Sequence, residues 1–156
     1  MIAVVDYRAG NLTSVMTALA YIGAEAKLTS SADEVRRAER VIFPGVGAAG
    51  ESMANLADLN LIDALRETVQ AGTPFLGICV GFQLLFESSQ EDGGTECLGL
   101  LPGRVVRFAD DMREEGREHP LKIPHMGWNA ARFVTDHPVT RGLDPASEFY
   151  FVHSYH

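Results

Sequence analysis

The chain has 156 residues, 46% of them hydrophobic and 22% charged, enough for one compact core that needs no disulfides. Thirteen basic against 21 acidic residues leave a formal charge of -8, which repels nucleic-acid backbones and anionic membrane surfaces, so neither is expected as a partner. The two cysteines, Cys79 and Cys97, form no zinc-spaced cluster, no apolar run reaches bilayer length, and the opening "MIAVVDY" has no secretory pattern; a reduced cytoplasmic setting, with no metal and no cofactor, is expected.

Ile2 to Val5 reads as a short apolar strand, and Leu12, Val15, Met16, Leu19 and Ile22 then recur at helical spacing between an Asn11 N-cap and a Gly23 stop. "EAKLT" predicts a second strand. Ser31 and Glu34 have capping-box spacing ahead of a short helix, and "RVIFPG" predicts a third strand. Leu61, Ile62, Leu65 and Val69 mark one face of another helix ending near Gly72, and Phe75 to Ile78 form a fourth, buried run. An amphipathic helix is expected after Cys79, with Leu84, Leu85 and Phe86 in the core. Strands alternating with helices predict a mainly parallel sheet covered on both faces. Beyond it come a Gly-rich loop at "EDGGTECLG", a charged hairpin loop at "ADDMREEGREHP" and shorter strands near "RVVRF", "LKIPHMGW" and "ARFV". The last segment, "SEFYFVHSYH", reads as an apolar strand. No linker interrupts the chain, so one domain over 1–156 is expected.

The chemistry concentrates at Gly77-Ile78-Cys79-Val80-Gly81, a thiol version of the nucleophile elbow, in which a tight strand-to-helix turn holds the central side chain out at the sheet edge. The following helix would favour the thiolate through its dipole and free N–H groups, with the Val80 amide aimed where an oxyanion forms. "FPGVG", Phe43 to Gly47, also follows a buried strand. If the two strands are neighbours, the Val46 or Gly47 amide pairs with that of Val80 as a two-donor oxyanion hole, pointing to acyl transfer through a thioester. The plainer alternatives are a small buried cysteine ending a core strand and an ordinary turn.

"GICVGFQLLFESSQE", together with "FPGVG", "DYRAGNLTSV", "PHMGWN" at 124–129 and "FVHSY" at 151–155, resembles the class I glutamine amidotransferases and, more closely, the glutaminase subunits of imidazole glycerol phosphate synthase. The resemblance implies a flavodoxin-like three-layer α/β domain, with a smaller antiparallel strand region in the second half, that hydrolyses L-glutamine to glutamate and ammonia. The ammonia would pass to a (β/α)8-barrel cyclase subunit making imidazole glycerol phosphate and aminoimidazole carboxamide ribotide in histidine biosynthesis. By position, Cys79 is then the nucleophile, and Gly45, Val46 and Gly47 form the oxyanion strand with Val80. Gln83, Glu91 and the backbone of Ser154 and Tyr155 hold the α end of glutamine, while His125, Met126 and Trp128 lie at the partner interface and ammonia exit. Gln83 and Glu91 also read as ordinary polar residues, and Trp128 as a packing residue.

Two departures stand out. Arg8 occupies a place where the family usually has glycine, a change expected to touch the partner contact more than hydrolysis. The family's triad histidine and glutamate lie in a His-Pro-Glu segment beyond "HSY", and these 156 residues contain none, so the chain is expected to be truncated. A replacement base among His119, His125, His137, His153 and His156 is not expected, because it would have to reach the sulfur and be oriented by a third group. His153, at a strand end, is the one placed toward the strand-end cleft. The alternatives are another amidotransferase's glutaminase, which would lack "PHMGWN", an inactive fragment that only binds the cyclase, and a redox sensor working through Cys79.

Overall fold

The computed structural model describes residues 1–113 and 119–156. These fall into two compact units, Met1–Val106 and Arg107–His156.

The first unit is built on four parallel strands, β1 (Ile2–Val5), β2 (Ala26–Thr29), β3 (Arg40–Gly45) and β4 (Phe75–Cys79), in the order β2-β1-β3-β4. This is the order in which a flavodoxin-like sheet begins, and such sheets carry their sites at the carboxyl ends of the strands. The period-two alternation sorts side chains by face. Val4 and Ile42 pack against Leu12, Val15, Met16 and Leu19 of α1 (Leu12–Tyr21), while Ala3, Val5, Val41 and Phe43 enter the larger core with Val35, Leu56, Leu61 and Leu65. The last four belong to or border α2 (Ala32–Arg37), α3 (Ala49–Asp58) and α4 (Ile62–Gln70).

Local signals act as expected at two helix starts. Asn11 accepts from the Ser14 N–H at 3.2 Å, and Ser31 accepts from the Glu34 N–H at 3.4 Å. Arg8 adopts φ +66, a left-handed backbone that glycine takes at least cost, and its guanidinium pairs with Asp58 at 3.1 Å with both side chains largely exposed.

Three expectations are corrected. Leu76 and Ile78 of the run expected to be buried are 46% and 38% exposed. β4 closes one side of this sheet, and Leu76 lies beside Ile42 on the face that α1 covers only toward β1 and β3. The helix after Cys79, α5 (Val80–Gln83), has four residues, because the chain then turns into β5 (Ser88–Ser89); Leu84 and Leu85 are nevertheless buried. "ARFV" forms no strand. Its neighbour β8 stops at Ala130, where the pairing with β9 runs out at Glu148.

β5 joins β6 (Thr95–Glu96) and β7 (Arg104–Val105) in a small three-stranded sheet. A 3-10 turn, Glu91–Gly93, interrupts the loop expected at "EDGGTECLG". In the second unit, β8 (His125–Ala130) and β9 (Glu148–His153) pair antiparallel, with His125 opposite His153. The charged loop expected at "ADDMREEGREHP" falls partly on 114–118, outside the described residues. No helix among the described residues is long and apolar enough to cross a membrane.

Candidate active site at the ends of β3 and β4

The parallel register places Gly45 beside Cys79. The condition set by the sequence is therefore met, and the segments carrying the Val46 and Val80 amides leave adjacent strand ends together. Cys79 is exposed and holds φ 55 and ψ -121, a conformation that costs a non-glycine residue about 1–3 kcal/mol and that clusters at functional sites.

The flanking glycines are required by backbone proximity. A Cβ on Gly77 would lie 2.7 Å from the Phe82 Cα, and one on Gly81 would run into the Phe43 carbonyl oxygen. The elbow therefore packs directly on the main chain of β3. With only four residues, α5 carries a small dipole, so the expected helical contribution behind Cys79 shrinks to the local N–H groups of the turn.

Val46 is 49% exposed, Gly47 has φ +89, and Gly45 is buried. The segment leads into α3, whose N-cap, Ala48, offers no side-chain acceptor. Glu91 supplies one from 42 residues away: its Oε2 accepts from the Ala49 N–H at 2.9 Å, while Asp92 Oδ2 accepts from the Gly50 N–H at 3.3 Å. Glu91 thus sits next to the Val46–Gly47 segment with one carboxylate oxygen engaged. Gln83 is half-buried on α5.

Tyr7 was not among the sequence candidates. Its ring lies 5.2 Å from that of Phe43 and it is fully buried, with its hydroxyl beneath Gly45, where a Cβ on that glycine would be 2.6 Å away. Burial pushes its pKa up to about 12, an effect that Ser52 partly offsets and Cys79 reinforces. Although Ser52 is close, the Tyr7 hydroxyl has no partner in hydrogen-bond geometry.

A buried donor without an acceptor is unfavourable, so Tyr7→Phe is expected to leave stability unchanged or raise it by about 1 kcal/mol in urea unfolding at pH 7. The raised pKa also has a sign. The unfolded phenol ionises near pH 10 and the folded one near 12, so this contribution is complete below pH 10 and declines as pH rises toward 12. Tyr7→Phe should flatten that alkaline decline; an equally steep decline in the variant would assign it to another group.

In the second unit, Met126 and Trp128 project from β8 with 59% and 65% exposure, and the Trp128 ring meets Tyr150 edge-on at 5.5 Å. His125, Ser154 and Tyr155 are half-buried, and the Ser154 carbonyl accepts from the Phe108 N–H at 3.0 Å. The sequence candidates therefore divide into Gly45, Val46, Gly47, Cys79, Val80, Gln83 and Glu91 in one unit, and His125, Met126, Trp128, Ser154 and Tyr155 in the other. No group of three or more His, Cys, Asp or Glu side chains is gathered as a metal ion would require among the described residues.

The glutamine amidotransferase class-I family model matches residues 3–156. The chain is 48% identical over 156 residues to the imidazole glycerol phosphate synthase subunit HisH of Pseudomonas syringae pv. syringae, an alignment covering 99% of this chain and 72% of the relative. It is 49% identical over 156 residues to the subunit HisH of Pseudomonas putida, with the same two coverages. Against the subunit HisH of Desulfovibrio desulfuricans it is 48% identical over 157 residues, covering 100% of this chain and 71% of the relative. A crystal structure described as a glutamine amidotransferase superposes with a TM-score of 0.66 at 20% identity over 99% of this chain and 71% of that one, a likeness of fold.

Proposed function

The chain belongs to the class I glutamine amidotransferase family, and from that premise we propose that it is the glutaminase subunit of an imidazole glycerol phosphate synthase. It hydrolyses glutamine and hands the ammonia to a cyclase partner of (β/α)8-barrel form, which makes imidazole glycerol phosphate and aminoimidazole carboxamide ribotide in the cytoplasm. The observation that carries this reading is the Gly45–Cys79 register, which brings an elbow cysteine and a glycine-rich turn to neighbouring strand ends. The family match runs across both compact units and supports 1–156 as part of one amidotransferase domain.

In this reading the Cys79 sulfur attacks the side-chain amide carbon of glutamine, and charge develops on the amide oxygen. The Val80 N–H and that of Val46 or Gly47 receive the charge, stabilising the tetrahedral intermediate more than the ground state. Breaking the C–N bond, with a proton delivered to the nitrogen, releases ammonia and leaves a γ-glutamyl thioester; attack by water then regenerates the thiol and gives glutamate. Gln83, Glu91 and Gly45 orient the α end of the substrate. Met126 and Trp128, exposed on β8, face the partner. The general base and its orienting carboxylate, which the resemblance assigns to a His-Pro-Glu segment, are not among these 156 residues.

The test is ammonia release from glutamine with the cyclase partner and its nucleotide ligand present. Release that is lost in Cys79→Ala supports the glutaminase. Complex formation with no release by the unaltered protein would instead establish a module that only binds.

A further inference from the structure

The tip of the β5–β6 hairpin meets the start of α3, at the residues that directly follow the Val46–Gly47 segment. Two consecutive carboxylates there take the first two N–H groups of the helix: Glu91 Oε2 lies 2.9 Å from the Ala49 nitrogen, and Asp92 Oδ2 lies 3.3 Å from the Gly50 nitrogen. Gly50 gives the second carboxylate its room, since a Cβ in its place would stand 3.0 Å from Asp92 Oδ2 and 3.4 Å from Thr95 Oγ1. Ala48, at the N-cap, has no side-chain acceptor, so the helix start depends on this pair.

The hairpin tip is itself held. Ser89 Oγ accepts from the Glu91 N–H at 3.2 Å, and the Glu91 carbonyl accepts from the Gly94 N–H at 3.0 Å and from the Thr95 hydroxyl at 3.4 Å. Asp92 holds φ 55 and ψ 30, a left-handed region that aspartate and asparagine enter more readily than most residues. On the other side, Gly45 is fixed by its pairing with Cys79. Val46, Gly47 and Ala48 are therefore all that separates two anchors, the end of β3 and the capped start of α3. The acceptors at Ala49 and Gly50 also take those two amides out of competition for an oxyanion.

We propose that Asp92, acting with Glu91, is a positioning residue for the reaction at Cys79: it anchors α3 from the hairpin tip and so holds the Val46–Gly47 amides where they receive the developing charge. This rests on the glutaminase reading above. The effect passes from the Gly50 N–H through the main chain of Ala49 and Ala48 to the segment beside Cys79. Oxyanion donors work by being oriented before the charge appears, and a group that locks their main chain from behind maintains that orientation. A loosened segment therefore lowers turnover and leaves ground-state affinity for glutamine nearly unchanged.

Two variants separate the anchor from the turn that carries it. Asp92→Gly accepts the left-handed backbone and removes the carboxylate, whereas Asp92→Asn keeps an acceptor oxygen. In the complex with the cyclase partner and its nucleotide ligand, Asp92→Gly should lower kcat for ammonia release about tenfold with KM for glutamine within about twofold. Asp92→Asn should stay within about threefold of the unaltered kcat. Nitrogen-15 relaxation should give order parameters of about 0.85 at Val46 and Gly47 in the unaltered chain and in Asp92→Asn, falling below ~0.6 in Asp92→Gly. An unchanged kcat in Asp92→Gly overturns the positioning role, as do order parameters there that match the unaltered chain, or an Asp92→Asn no better than Asp92→Gly. Absence of ammonia release from the unaltered protein would instead overturn the glutaminase reading, and the relaxation data would still decide whether the hairpin tip holds the segment.

Discussion

Cys79→Gly is expected to abolish ammonia release while raising the melting temperature by a few degrees. The activity term is the larger. In the proposed mechanism Cys79 forms the covalent intermediate, so its removal lowers turnover by at least ~10⁴-fold, because the proposed oxyanion donors then have no attacking atom to assist. The stability term has the opposite sign. Cys79 holds φ 55 and ψ -121, strained for a side chain with a Cβ and accessible to glycine. Relief of that strain, less the greater freedom glycine has in the unfolded chain, leaves about 1 kcal/mol in favour of the variant. Steady-state ammonia release and thermal unfolding of the same preparation check both terms. Retained turnover would remove Cys79 from the mechanism, and a lower melting temperature would mean that its side-chain contacts outweigh the backbone strain.

Gly81→Ala is expected to be the most destabilising of single methyl additions at the elbow, by about 3 kcal/mol or more. The added Cβ would meet the carbonyl oxygen of Phe43, its carbonyl carbon at 2.9 Å and the carbonyl carbon of Pro44 at 3.1 Å, all main chain of a buried strand that cannot swing aside. Gly47→Ala is the control. It lies nearby with φ +89 and no atom within 4 Å of an added Cβ, so only the left-handed backbone resists it, at about 1–2 kcal/mol. Urea midpoints should rank unaltered protein first, Gly47→Ala second and Gly81→Ala last. The reverse order for the two variants would show that the elbow does not pack on β3 as closely as the geometry has it.

Much of the first unit is legible in the chain because its signals are local. Alternation in "IAVV" and "RVIFPG", the Asn11 and Ser31 caps, and the face marked by Leu61, Leu65 and Val69 each lie within one element. Helix α3 escaped for a physical reason. Ala49, Met53 and Leu56 make a thin apolar face, and its start has no cap of its own, since the acceptors are Glu91 and Asp92 from a distant turn. The short α5 was equally hidden: Phe82, Leu84, Leu85 and Phe86 suit a longer helix, and the pairing of Ser88 and Ser89 with Thr95, Glu96, Arg104 and Val105 ends it early. The buried character expected of β4 failed because hydrophobicity records what a strand can bury, while its neighbours determine what it does bury.

What the sequence by itself determined is the elbow cysteine and the kind of turn that presents it, because Gly-x-Cys-x-Gly states a backbone requirement in residue types. It also determined the family, through motifs spread from "DYRAGN" to "FVHSY". Only the tertiary structure decided which strand end lies beside Cys79, which carboxylates cap α3, where the orphan hydroxyl of Tyr7 is buried, and that His125 faces His153. Those four facts depend on contacts between residues far apart in the chain, where register and packing, and no local preference, select the neighbour.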